Sequence, residues 1–92
     1  GIERIAERIL ELTDYLCEQA QRRGWTVFSS RLEKEKSGIV SLIHPVWPAR
    51  EVVRRCRERG VVVNARAERV RVSPHAYNTR DEIDRFLDAA TP

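Results

Sequence analysis

One arginine stands out among the residues that could do chemistry. Arg71 lies in the segment Arg69–Ser73, whose strict alternation of arginine and valine predicts a β-strand. The period of two sends Val70 and Val72 to one face and the arginines to the other. A strand holds a guanidinium firmly, and its planar fork of donors matches a carboxylate in two-point contact. Arg71 is therefore a candidate anion-binding residue, and the alternative is an ordinary surface arginine.

Other reactive side chains are few. The two lysines, Lys34 and Lys36, lie in the charged turn E-K-E-K-S-G, where no burial would activate an amine. Cys17 and Cys56 fall on apolar positions of predicted helices and are interpreted as buried small hydrophobes. With two scattered histidines they match no zinc spacing, so we expect no metal site and no catalytic residue in this chain. Two cysteines cannot build a disulfide framework, which indicates a reducing compartment and hence the cytoplasm.

Size and composition limit the functions that the chain can have. Its 92 residues are 41% hydrophobic and 34% charged with a net charge of +3, which is typical of one small globular domain. This surplus of charge is too small to argue for nucleic acid. No apolar run could span a bilayer, and the amphipathic N-terminus is not a secretory signal. A domain of this size buries about 60–65% of its unfolded surface and hardly encloses a deep catalytic cavity. We therefore expect a single domain, residues 1–92, that is part of an enzyme rather than the whole of one.

Hydrophobic periodicity predicts three helices and four strands. The helices are predicted over Gly1–Arg23, over Pro48–Arg59 and from Thr79 onward, and the strands over Trp25–Ser30, Ile39–Ile43, Val61–Ala65 and Arg69–Ser73. The order α-β-β-α-β-β-α favours an α+β fold with a mainly antiparallel four-stranded sheet and helices packed on one face. The other face of that sheet is then open to water or to a partner.

Local signals mark the ends of the helices. Gly24 and Gly60 predict where the first two helices end. Thr79 and Glu82 have the spacing of a capping box, which predicts where the third helix begins. The first helix also carries an apolar stripe at three- and four-residue steps, which we interpret as its packing face. The stripe consists of Ile2, Ile5, Ile9, Leu12 and Leu16.

The C-terminal third of the chain resembles a known family. The string R-V-S-P-H-A-Y-N-T-R-D-E-I-D-R-F-L, from Arg71 to Leu87, is similar to the C-terminal signature of class V aminotransferases. These are pyridoxal-phosphate enzymes that include cysteine desulfurases and isopenicillin-epimerase-like proteins. Their signature reads R-x-S-x-x-x-Y-N-T, followed by an acidic helical stretch with E-I-D. Weaker similarities in S-G-I-V-S, in R-E-R-G-V-V-V and in the opening helix extend the resemblance over nearly the whole chain.

The resemblance implies a role for this chain within a larger enzyme. The chain would be the C-terminal small domain of a pyridoxal-phosphate enzyme of fold type I, and Arg71 would grip the α-carboxylate of an amino-acid substrate. Further substrate-binding candidates are Asn64, Arg66 and His75. Pyridoxal phosphate would sit on a lysine of a large domain, because neither lysine here has the family's context. The chain alone is then expected to be inactive, and the parent enzyme to be a homodimer.

One departure from the family narrows the reaction of the parent enzyme. Cysteine desulfurases carry a catalytic cysteine between the strands that match Val61–Ala65 and Arg69–Ser73. Here the connection, Arg66 to Glu68, is short and contains no cysteine. The resemblance therefore implies an aminotransferase, an epimerase or a lyase rather than a desulfurase that acts through its own persulfide.

Two other functions stay open at this level. A freestanding α+β binding or protein-interaction module would use the same open sheet face, but its outer surface would lack apolar patches. Nucleic-acid binding would use the helix R-E-V-V-R-R-C-R-E-R, although glutamates interrupt its charge and no RNA-binding signature accompanies it. We expect the large domain and an amino acid as partners, and neither nucleic acid nor a membrane.

Overall fold

The computed structural model describes residues 2–28, 38–61, 63–74 and 79–91. Within these ranges the element order is α-β-β-α-β-β-α, as predicted. The helices are α1 (Ile2–Arg22), α2 (Ala49–Glu58) and α3 (Arg80–Ala90). The strands are β1 (Thr26–Val27), β2 (Val40–Ile43), β3 (Asn64–Arg66) and β4 (Arg69–Val72).

Both α1 and α2 end in the way that their glycines predict. Gly24 and Gly60 have φ angles of +89° and +77°, a backbone region that glycine enters without steric cost. The amide that follows Gly24 donates to the Ala20 carbonyl at 3.0 Å, and the amide that follows Gly60 donates to the Cys56 carbonyl at 2.8 Å. These bonds satisfy carbonyls that the last helical turn leaves without a partner.

The start of α3 is fixed by a capping box, which confirms the sequence prediction. The hydroxyl of Thr79 accepts a hydrogen bond from the amide of Glu82 at 3.2 Å. In return, the carboxylate of Glu82 accepts one from the amide of Thr79 at 3.1 Å. The pair satisfies two amides at the start of the helix and places an acidic group near the positive end of the helix dipole.

The sheet has the strand order β1-β2-β4-β3, and every neighbouring pair is antiparallel. Val40, Leu42 and Val70 lie on one face and are at most 1% exposed. Helix α1 packs on β1 and β2, α2 packs on β3 and β4, and α3 packs on the other two helices. The predicted α+β fold, with its helices on one face of an antiparallel sheet, is therefore confirmed.

The core lies between this sheet face and the helices. Its fully buried side chains come from all three layers, and the largest of them are Leu12, Leu16, Leu42, Leu87, Val40, Val52 and Val70. Trp25 extends the core at the junction of α1 and β1, where its indole Nε1 donates to the Thr91 hydroxyl at 2.9 Å. This bond ties the end of α3 to the start of the sheet.

The third strand begins later than predicted. The sequence predicts Val61–Ala65, whereas β3 covers Asn64–Arg66. The amide of Val61 is already bonded to the end of α2, so it cannot join the ladder. Val61 and Val63 pack against the core as part of the approach to the strand. A β-branched run is thus used for packing rather than for pairing.

The first strand is also shorter than predicted. Of the range Trp25–Ser30, β1 contains only Thr26–Val27, because the amide of Trp25 closes the end of α1. The amide of Phe28 donates to the Ser41 carbonyl at 2.8 Å, which extends the pairing by one residue. The last two residues of the predicted strand lie outside the described ranges.

The apolar stripe of α1 is buried only in part. Leu12 and Leu16 are fully buried, but Ile2 is 86% exposed and Ile5 is 53% exposed. A helix of 21 residues is about 31 Å long, whereas a strand of four residues spans about 13 Å. The helix is therefore longer than the sheet beneath it, and its first turns have nothing in the described part of the chain to pack on.

Candidate functional site

A row of side chains crosses the open face of the sheet. Ser41 and Asn64 are the register partners of Arg71 on the two strands that flank β4. Phe28 continues the row on the far side of Ser41. Directly opposed residues point to the same face, so these side chains lie together on the face that the helices leave uncovered.

Arg71 is held at the centre of this row. Its strand, β4, is internal, with β2 on one side and β3 on the other. The residue is half-buried, and within the described ranges its guanidinium has neither a hydrogen bond nor an ion pair. A firmly positioned guanidinium with free donors can accept a carboxylate in two-point contact.

Arg71 also lines a cavity of about 490 Å³ between β3, β4 and the start of α3. This volume is within the range of about 300–1,000 Å³ that is usual for small-molecule sites. The polar lining residues are Asn64, Arg71, Ser73, Glu82 and Arg85. The carboxylate of Glu82 already accepts the Thr79 amide, and two guanidinium groups outnumber it. The cavity therefore suits a small anion.

The structure brings two of the four sequence-predicted site residues together. Asn64 lies beside Arg71, and both line the same cavity. Arg66 shares the sheet face, but it pairs with Arg69 and lines a separate cavity of about 380 Å³ near the start of α2. His75 lies outside the described residues, as do the rest of the segment 75–78 and both lysines.

Sequence reasoning missed the stacking partner of Arg69. The guanidinium carbon of Arg69 lies 3.3 Å from the centroid of the Phe28 ring, which is a cation–π contact. Alternation along β1 could have placed Phe28 on a face, but only the register between β1 and β2 brings it near Arg69. Arg85 was missed too, because the helical pattern of α3 indicates a solvated position without showing which cavity lies beside it.

The cysteines and the described histidine have structural roles. Burial raises the pKa of the Cys56 thiol, and Cys17 is also buried, so the interpretation of both as small core hydrophobes is confirmed. The Nδ1 of His44 accepts hydrogen bonds from the amides of Val46 and Trp47 at 3.1 and 3.3 Å. These bonds shape the turn that leads into α2 and leave no reactive group there.

The arginine-rich helix α2 is largely engaged within the chain. Arg54 pairs with Glu51 and with Glu58, the latter at 2.5 Å. Arg55 stacks on the ring of Trp47 at 4.0 Å. Arg54 holds the pKa of the Glu51 carboxyl below its usual range, as expected for an exposed ion pair. These internal contacts use charge that a nucleic-acid surface would present outward.

The fold and its uncovered face define a C-terminal small domain of the class V aminotransferase type. The sequence profile of the kynureninase C-terminal domain family matches residues 5–89, and the chain therefore belongs to this family. Among solved structures, a NifS-like protein has the same fold, with a TM-score of 0.81 and 21% sequence identity. The match covers 94% of this chain but only 27% of that protein. No curated protein matches the chain in sequence.

The described residues do not form a cofactor site. They include no lysine, so they offer no amine for the Schiff base that pyridoxal phosphate requires. Within the same ranges, no group of three or more His, Cys, Asp or Glu side chains could hold a metal ion. No helix in the described part of the chain is both long enough and apolar enough to cross a bilayer.

Proposed function

We propose that this chain is the C-terminal domain of a larger pyridoxal-phosphate enzyme, in which Arg71 binds the α-carboxylate of an amino-acid substrate. The observation that carries the proposal is the state of Arg71. An internal strand presents it on the uncovered sheet face, beside Asn64, and no described acidic group neutralises it. Family membership supports the same conclusion.

The cofactor and the chemistry that it supplies would belong to the large domain of the parent enzyme. This chain would contribute orientation. Arg71 fixes the carboxylate by two parallel hydrogen bonds, Asn64 offers an amide beside it, and closure of the small domain excludes water. A charge-assisted pair of this kind contributes about 1.5–3 kcal/mol. The same contact in the isolated, open chain is too weak to retain an amino acid.

Several features support an origin in a larger enzyme rather than a freestanding module. Ile2, Ile5 and Phe28 are exposed on the outer surface, where a self-sufficient module would be polar. The related solved structure is also much longer, since this chain matches only 27% of it. Both observations favour a domain that packs against further polypeptide.

The reaction and setting of the parent enzyme are part of the proposal. Strands β3 and β4 are joined by a turn of two residues, Ala67 and Glu68, which leaves no place for a cysteine-bearing loop. This favours an aminotransferase, an epimerase or a lyase over a desulfurase. The free thiols of Cys17 and Cys56 suit a reducing compartment, so we place the enzyme in the cytoplasm, as a homodimer without a nucleic-acid partner.

The test is a substitution of Arg71 in the parent enzyme. We expect Arg71→Ala to raise the KM for the amino acid by about 10- to 100-fold, because a charge-assisted pair is lost. The absorbance of the bound cofactor should not change. Arg71→Lys should lie between the two, since an ammonium keeps the charge but not the two-point geometry. Arg57→Ala, on the exposed face of α2, is the matched control.

An unchanged affinity for substrate in Arg71→Ala would show that this arginine does not hold the carboxylate. The 92-residue chain alone provides a second control. Mixed with pyridoxal phosphate and an amino acid, it should show neither cofactor absorbance nor transamination. Either signal from the isolated chain would place the cofactor lysine within it and would contradict the proposal.

A further inference from the structure

The hairpin formed by β3 and β4 carries positive charge that the described part of the chain does not neutralise. Arg66 and Arg69 are direct register partners, so two guanidinium groups lie side by side on the open sheet face. Like charges at opposed positions of a sheet are destabilising. Neither side chain has an ion pair with a described residue. The fold thus keeps an unfavourable pair of charges on its uncovered face.

The turn that joins the two strands is strained. Ala67 and Glu68 have φ angles of +52° and +67°, a region that usually requires glycine or asparagine in a two-residue hairpin. Residues held in such conformations cluster at binding sites. This tight turn fixes the spacing of Arg66 and Arg69, and it is independent of their charge.

The neighbours of Arg69 show what kind of partner the face suits. Its guanidinium lies flat on Phe28, whose residue is 51% exposed, and exposed Ile39 follows the same face by alternation with buried Val40. Arginine, aromatic and aliphatic side chains together are typical of protein interfaces. A nucleic-acid surface would need a continuous basic stripe, which these apolar side chains interrupt.

We propose that Phe28, Arg66 and Arg69, here called the hairpin face, dock onto a carboxylate-bearing surface of the cofactor-carrying domain of the same enzyme. This inference rests on the proposed function. Arg69 and Arg71 are two residues apart on one strand and point to the same side. If Arg71 faces a substrate held by that domain, the hairpin face must lie against the same domain. Aspartate or glutamate side chains there would pair with Arg66 and Arg69 and so set the position from which Arg71 reaches the substrate.

The experiment reverses the charge of the hairpin face in the parent enzyme. We expect Arg66→Glu combined with Arg69→Glu to raise the KM for the amino acid about tenfold, because two docking contacts become repulsive. Amide hydrogen exchange in residues 64–71 should speed up, because the docked face opens. Added salt should bring the wild type closer to the variant. The matched control is Arg50→Glu combined with Arg57→Glu, which makes the same charge change on exposed positions of α2.

The outcomes separate this inference from the proposed function. If the reversal leaves both KM and hairpin exchange unchanged while Arg71→Ala still weakens substrate binding, the docking proposal is wrong and the proposed function stands. If Arg71→Ala has no effect either, both are wrong. Salt-sensitive binding of duplex DNA that the reversal abolishes would also overturn the docking proposal. Urea unfolding of the 92-residue variant checks its folding, and we expect no loss of stability because both arginines lack partners.

Discussion

His44 stabilises the turn between β2 and α2 through an acceptor that only its neutral ring has. Its Nδ1 accepts two backbone amides, and its ring packs edge-on against Trp25 at 4.9 Å between centroids. Burial lowers the pKa of His44 from its ordinary value of 6.5. The unfolded chain therefore binds the proton more readily than the folded chain. This stabilisation is complete above about pH 6.5 and is lost as the pH falls through the folded pKa.

We expect the free energy of unfolding, measured with urea from pH 8 to pH 5, to decrease below pH 6.5 in the wild type. The decrease should disappear in His44→Asn. Glu51 does not confuse this window, because its lowered pKa affects stability only below its ordinary value of 4.5. His75→Asn is the matched control and should keep the wild-type profile. A decrease that persists without His44 would assign it to another group.

At the scale of elements, backbone conformation makes two opposite predictions. Gly24→Ala should lower the free energy of unfolding by about 1–2 kcal/mol, because an alanine at φ +89° is strained. An added Cβ there would meet nothing within 4 Å, so the loss comes from the backbone alone. Ala67→Gly relieves a residue that is already in this region and should gain roughly 0.5–1 kcal/mol after the entropy cost of glycine.

Urea unfolding of the two variants checks both signs in one experiment. The slope of the free energy against urea should stay the same, since neither change alters the surface that unfolding exposes. A loss of stability in Ala67→Gly would mean that the alanine methyl makes a contact worth more than the strain.

Elements whose signals are local could be predicted from the sequence. Gly24, Gly60 and the pair Thr79 and Glu82 each act through bonds within a few residues, and the three helix ends follow them. The start of β3 could not be predicted in this way. Whether the Val61 amide joins the sheet or closes α2 depends on how the helix meets the strand, which no window of sequence contains.

The candidate site divides along the same line. Alternation in β4 was enough to place Arg71 on the uncovered face. The proximity of Asn64 was proposed from a resemblance and needed the register of β3 and β4 to be located. The strand order β1-β2-β4-β3 pairs β2 with β4 across a helix, and no local signal specifies that pairing. The contact between Phe28 and Arg69 depends on this order, which is why sequence reasoning missed it.

At the scale of the whole molecule, α1 has two halves with different energetic roles. Leu12 lies in the core and is fully buried, whereas Ile5, seven residues earlier on the same stripe, is 53% exposed. In the 92-residue chain, Leu12→Ala should lower the free energy of unfolding by about 2–5 kcal/mol, because it leaves a cavity. Ile5→Lys should change it by less than about 0.5 kcal/mol, because a surface position with no burial has little to lose.

The comparison shows whether the first turns of α1 pack within this chain or await further polypeptide. Urea unfolding of both variants, with Glu7→Lys as a matched charge control on the polar face, separates the two cases. A loss above about 1 kcal/mol in Ile5→Lys alone would mean that these turns pack on residues of this chain. A neutral result, together with a loss of thermal stability for the same substitution in the parent enzyme, would place the exposed half of the stripe against the preceding domain. The apolar periodicity of α1 would then be continuous because the helix serves two cores, one of them outside this chain.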